Sequence, residues 1–145
     1  MVLGGVPSSK LFQNVREKMS LCYYCSSGLV GNSRSMFIES GVETSNLEKA
    51  EEAIYGQLSA LQKGELTEEE LLSAKLAYCN SLRSINDSLP AMESAYLGQV
   101  FSGLVLPQEE SIARVMSCTK EQVVEAANRL VPGAVFTLKG SGVHG

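Results

Sequence analysis

The sequence predicts an α+β domain, a mostly antiparallel sheet with helices packed on one face. Three observations carry that expectation. A short amphipathic helix precedes two strand-like runs, three capping-box signatures then open a series of helices, and a last β-rich run follows a Val-Pro-Gly stop. That order suits helices segregated to one side of a sheet, because each element must bury its apolar stripe or face against another.

From Ser8 to about Met19, the apolar residues Leu11, Phe12, Val15 and Met19 recur at helical spacing, with Ser8 or Ser9 available as N-cap. Leu21 to Val30 and Arg34 to Val42 read as two strands around Gly31-Asn32-Ser33, a polar segment of the kind that closes a hairpin. On a regular strand Leu21, Tyr23, Cys25 and Leu29 share one face. The second strand is two-sided, with Met36 and Ile38 in the register opposite to Phe37.

Ser45-Asn46-Leu47-Glu48 has the form of a capping box, and Leu47, Ala50, Ile54, Leu58 and Leu61 follow at steps of three and four until Gly64. Thr67-Glu68-Glu69-Glu70 is a second box, opening a helix whose stripe runs through Leu71, Leu72, Leu76, Cys79 and Leu82 to an end near Leu89. Pro90 suits the first turn of the next helix, which carries Met92, Tyr96, Val100 and Leu104 and closes before Pro107. A shorter helix is expected over Glu109 to Ser117. Thr119-Lys120-Glu121-Gln122 is the third box, its helix running through Val123, Val124, Ala127 and Leu130 to Val131-Pro132-Gly133. A final strand is expected over Ala134 to Lys139.

The 145 residues, 44% of them hydrophobic, suffice for one core, and residues 1–145 read as a single domain. Twelve basic and sixteen acidic residues give a net charge of -4, with no Lys/Arg run dense enough to follow a phosphate backbone, so nucleic acid is not an expected partner. No apolar run approaches the roughly 18 residues of a membrane span. The early Gly4, Gly5 and Pro7 do not have the layout of a signal peptide. The expected location is the cytoplasm.

Cysteines stand at 22, 25, 79 and 118, and Cys22-Tyr23-Tyr24-Cys25 is formally a Cys-x-x-Cys. Redox and zinc forms of that motif occupy a helix start or a tight knuckle. This one lies in a β-rich run, where an offset of three sends two side chains to opposite faces. The expectation is four small, buried apolar residues in a reducing compartment.

Two residues stand out for chemistry. Arg16 falls in the last turn of the first helix and Tyr23 in the following strand. Each has an ordinary reading, compensation of the helix dipole for the arginine and strand packing for the tyrosine. Together, a guanidinium fork and a phenol can also grip a peptide carbonyl or the oxyanion that develops when an amide is hydrolysed. The carboxylates Glu51-Glu52 and Glu68-Glu69-Glu70 fall at helix starts or solvent faces, Gly4-Gly5 lacks the Gly-Lys-Ser/Thr of a phosphate cradle, and the single histidine, His144, reads as tail.

The run Gly4-Gly5-Val6-Pro7-Ser8-Ser9-Lys10-Leu11-Phe12-Gln13-Asn14-Val15, continued by Arg16-Glu17-Lys18-Met19-Ser20-Leu21-Cys22-Tyr23, resembles the C-terminal half of pitrilysin/insulinase-type zinc metallopeptidases and their inert relatives. Its Gly-Gly-x-Pro-x-Ser-Lys-Leu-Phe and Ser-Leu-x-Tyr-Tyr patterns are similar to those of bacterial paired peptidase-like proteins. The resemblance implies a ferredoxin-like two-layer half-domain truncated at its N-terminus, with Met1 either an added residue or a late start. It also implies substrate-binding roles for Arg16 and Tyr23, which in that family reach the peptide beside a zinc held by the other half. This sequence has no His-x-x-Glu-His or its inverse, so Arg16 and Tyr23 are the expected site residues, with no catalytic residue and no metal ligand. Zinc is expected in a partner half, in cis or on a homologous subunit, and the partners implied are a peptide and that half. A sheet edge left open offers a route to homodimers. The function implied is the substrate-binding, non-zinc half of a peptidase; the alternative is an inert companion or scaffold subunit of an active homologue.

Overall fold

The computed structural model describes residues 1–30 and 35–140. The expected hairpin turn at Gly31-Asn32-Ser33, with Arg34, and His144 lie outside the described residues. The architecture is α+β: an N-terminal helix (Leu11–Lys18), strands β1 (Cys22–Val30) and β2 (Ser35–Val42), then helices α1 (Leu47–Gln62), α2 (Glu68–Ser84), α3 (Leu89–Ser102), α4 (Gln108–Ser117) and α5 (Lys120–Asn128). β1 and β2 pair antiparallel.

The lead-in segment folds back along β1. The Ser27 N–H donates to the Gly4 carbonyl at 2.9 Å, and the Leu11 N–H donates to the Leu3 carbonyl at 2.8 Å. Gly4 is needed for this approach, since a Cβ there would meet the Ser27 backbone nitrogen at 2.7 Å. The helix that follows is wound wider than an α-helix, with i→i+5 bonding of the kind made by the Met19 N–H to the Asn14 carbonyl at 3.1 Å. Its Leu11 and Val15 are completely buried.

These two residues join Leu3, Cys25, Leu58, Leu61, Leu66, Leu71 and Ala127 in the main core, with Cys22, Met36 and Ile38 packed against it from the hairpin. The core therefore sits between one face of the hairpin, the N-terminal helix, α1, the start of α2 and α5. At the far end of α1, Gly64 (φ 82°) takes the left-handed position, and the Glu65 and Gly64 N–H groups return to the carbonyls of Ala60 and Leu61, a complete Schellman motif. Gln62 Nε2 then donates to the carbonyls of Ala127 and Leu130, fastening α1 to the end of α5.

The capping boxes at Thr67/Glu70 and Thr119/Gln122 both form with reciprocal bonds. The box expected at Ser45/Glu48 does not: a 3₁₀ turn occupies Thr44–Asn46, α1 starts after Asn46, and no side chain caps it. The strand expected over residues 134–139 is also absent. The described sheet has two strands and neither pairs with this segment, so its backbone forms no ladder and Phe136 and Leu138 stand 89% and 88% exposed. α3 likewise carries exposed apolar side chains, among them Leu89, Tyr96 and Val100.

The sequence gives no notice of the contact that ties the N-terminal helix to α2. Lys10, 6% exposed, donates from Nζ to Glu70 Oε1 at 3.1 Å, while Glu70 Oε2 accepts from the Thr67 N–H at 2.8 Å as its half of the capping box. Partial burial alone pushes the Glu70 carboxyl up. The Thr67 N–H, the Lys10 ammonium and the Thr67 hydroxyl outweigh it and hold the group below the ordinary carboxylate value. A carboxyl whose folded value is depressed contributes stability above its unfolded value, and that stability is lost as pH falls through the folded value. Glu70→Gln keeps the capping geometry and leaves the buried Lys10 charge without its counterion. Urea unfolding should show it about 1–3 kcal/mol less stable than the parent at neutral pH. The difference should shrink toward zero once the pH lies below the folded value; a gap independent of pH would contradict the ion-pair account.

Candidate functional site

Arg16 and Tyr23 come together through an irregular junction. Ser20 lies in the left-handed region (φ 51°) and ends the wide helix, its N–H donating to the Arg16 carbonyl at 3.1 Å while the Leu21 N–H reaches the Val15 carbonyl at 3.2 Å. Each bond spans one residue more than the matching Schellman bond would, in keeping with the wider winding. The chain then enters β1, where Cys22 pairs with Val42 and Tyr24 with Gly41. Two steps on β1 thus match one on β2, and Tyr23 is the extra residue of a β-bulge.

The bulge re-aims three neighbours at once. Tyr24 lies over Gly41 on the outer face, and Tyr23 projects outward with 67% exposure. Cys22, opposite Val42, shares the inner face with Cys25, opposite Ser40. This corrects two expectations drawn from a regular strand. Tyr23 does not share the face of Cys25, and the cysteines of the Cys-x-x-Cys are not on opposite faces, because the inserted residue shifts the alternation by one.

Arg16 donates from Nε to the Tyr23 carbonyl at 2.9 Å. Its guanidinium lies over the Phe12 ring at 4.5 Å from the centroid, and Nη1 pairs with Glu17 Oε1 at 3.3 Å. The phenol of Tyr23 donates to Glu43 Oε1 at 2.9 Å. That hydrogen bond, then the carboxylate's charge, and slight desolvation hold the phenol above the ordinary tyrosine value. Arg16, Glu17, Ser20, Leu21, Cys22, Tyr23, Glu43 and Asn46 line one open concavity of about 530 Å³.

The two residues read from the sequence therefore flank a single hollow, linked by a side-chain to backbone bond rather than by their functional ends. Sequence reasoning missed Glu43, which the end of β2 delivers, and the Phe12 ring under the guanidinium. An aromatic one helical turn before an arginine was the available signal for Phe12; the position of Glu43 depends on the hairpin register. Zinc does not fit this donor set: among the described residues no group of three or more His, Cys, Asp or Glu is placed to hold a metal ion. No helix among them is long and apolar enough to cross a membrane.

Comparison with known proteins identifies the family of the chain. Residues 1–78 match the family described as the Peptidase M16 inactive domain. The chain is 29% identical over 140 residues to the probable inactive metalloprotease YmfF of Bacillus subtilis (strain 168), covering 97% of this chain and 33% of that protein. It is 28% identical over 138 residues to an uncharacterized zinc protease of Rickettsia felis, covering 90% of this chain and 32% of the relative. The chain thus spans about a third of the length of the curated relatives it matches. Among solved structures, a conserved protein from Enterococcus faecalis V583 superposes with a TM-score of 0.79 at 32% identity, over 88% of this chain and 30% of that one. A protease from Helicobacter pylori shares the fold, with a TM-score of 0.71 at 21% identity over 88% of this chain and 32% of the other. With more than half of its length matching the family pattern around the site just described, the chain belongs to the Peptidase M16 inactive domain family, an inert peptidase-like domain.

Proposed function

We propose that this domain is the peptide-holding, non-zinc half of a peptidase-like protein, acting with a zinc-bearing half on the same polypeptide or on a homologous subunit. The observation that carries the reading is the shared hollow. Arg16 and Tyr23 open onto one concavity at the start of β1, and the ring of Phe12 and the carbonyl of Tyr23 fix the guanidinium plane. Arg16 Nη2 takes part in neither of the bonds described, and it supplies the donor for a peptide carbonyl. The phenol of Tyr23 supplies a second donor when it exchanges Glu43 for the ligand. By itself the chain is not hydrolytic.

The alternative, an inert companion that shapes the peptide chamber of an active homologue, draws on a specific observation too. Arg16 Nε and the Tyr23 hydroxyl are both spent on this chain's own atoms, and Arg16 satisfies a carbonyl at the bulge. In that reading Arg16 is a brace for β1.

Tyr23→Phe separates the two, because the hydroxyl touches Glu43 while the ring and backbone stay unchanged. In the protein assembled with its zinc-bearing half, the peptide-holding reading expects kcat/KM to fall by roughly 10- to 100-fold with assembly intact. Arg16→Lys should lower it at least as much, since lysine lacks the fork. Full turnover in both variants would leave the scaffold reading standing. The Glu43 contact has its own signature. In a tyrosine ¹³Cζ NMR titration, Tyr23 should ionise at higher pH than the ordinary value, and Glu43→Ala should move it down. A Tyr23 signal unmoved by the substitution would mean that the hydrogen bond is not made in solution.

A further inference from the structure

The bulge gives Cys22 and Cys25 a relation that their sequence spacing does not. Their cross-strand partners, Val42 and Ser40, are two residues apart on β2. Two strand steps amount to about 6.8 Å. That is the upper edge of the roughly 4.4–6.8 Å Cα separation that a disulfide spans. On a regular strand, residues three apart are about 10 Å distant and face opposite ways. Here both side chains turn to the core side, Cys25 buried within the main cluster and Cys22 packed at its margin. Cys22 is only partly covered, and it lines the concavity beside Arg16 and Tyr23.

We propose that Cys22 and Cys25 are a site of reversible thiol oxidation, in which a peroxide-class oxidant reacts at Cys22 and Cys25 closes a disulfide across the bulge. In the first step the Cys22 sulfur attacks a peroxide oxygen. The O–O bond breaks, the sulfur is oxidised to a sulfenic acid, and hydrogen peroxide is reduced to water. In the second, the Cys25 sulfur attacks the Cys22 sulfur, the S–O bond breaks, and the hydroxyl leaves as a second water with the Cys25 proton. Two thiols and one peroxide thus become one disulfide and two waters.

The two thiols differ in a way that fits this order. Burial, and then the neighbouring Cys22 sulfur, push the Cys25 thiol up to about 11. It therefore stays protonated at neutral pH, which leaves the first attack to the more accessible partner. Of the other cysteines, Cys79 is buried within α2 and Cys118 lies just beyond α4, so neither shares this strand segment.

The test is oxidation of the whole chain with hydrogen peroxide, followed by quenching, unfolding, alkylation of the remaining thiols and tryptic digestion without reductant. Cleavage after Lys18 and Arg34 releases residues 19–34, which carry both cysteines. The expected product is this peptide lighter by two hydrogen atoms, unalkylated at both sulfurs and restored by reductant, while Cys79 and Cys118 are alkylated. Cys25→Ser should abolish the mass loss and leave a sulfenic acid at Cys22 that a dimedone probe captures. Cys22→Ser should abolish both signals. The proposal is overturned if the parent peptide is recovered doubly alkylated at peroxide doses that oxidise a free small thiol. It is equally overturned if Cys22 proceeds to sulfinic acid while Cys25 remains alkylatable.

Discussion

Tyr23 has no partner on β2, and the arrangement around it follows from that one unmatched residue. A strand that gains a residue must rotate its alternation, so the side chains before Tyr23 face as those after it would have faced on a regular strand. At that point the guanidinium of Arg16 donates to the Tyr23 carbonyl at 2.9 Å. The arginine reaches it because the preceding helix is wound wide and ends in a left-handed serine, which turns the chain sharply into β1. The bulge, the wide helix and the Ser20 turn are thus parts of one local solution that holds Arg16, Tyr23 and Glu43 around a common hollow.

That solution needs a fixed base, which the lead-in segment and Glu70 supply. Gly4 lets the first residues lie against β1, so that Leu3 and Leu11 enter the core, and Lys10 then reaches across to α2. Glu70 serves the Thr67 cap and the Lys10 ammonium at once, which makes the start of α2 depend on the placement of the N-terminal helix. Charge removed from water is tolerable here because both ions are paired and the carboxylate keeps further hydrogen bonds.

The sequence disclosed the parts of this fold that rest on local chemistry. The Thr67 and Thr119 boxes form because their side-chain and backbone groups lie within one turn of each other, and Gly64 ends α1 because a left-handed residue is needed there. The Ser45 box failed although its pattern was the same, because a 3₁₀ turn claimed Thr44–Asn46 and moved the helix start. The segment over residues 134–139 alternates well enough for a strand, but a strand exists only beside a neighbour, and pattern cannot supply one. At the site, the family resemblance pointed to Arg16 and Tyr23, and the structure places both beside one hollow. The bulge was not legible, since two tyrosines between cysteines carry no glycine or proline to announce it, and with it went the facing of Cys22 and the approach of Glu43.

The aromatic rings on the outer face of the hairpin bear on how this sequence can drift. Tyr24 lies across Gly41, and Phe37 across Gly28; a methyl group at either glycine would meet a ring atom at 2.4 or 2.7 Å. Each ring occupies the space that a side chain on the opposite strand would need, so the two positions of a pair share one volume. In evolutionary terms the two positions of each pair are coupled: a glycine there can acquire a side chain only where the facing ring swings out toward solvent or has become smaller.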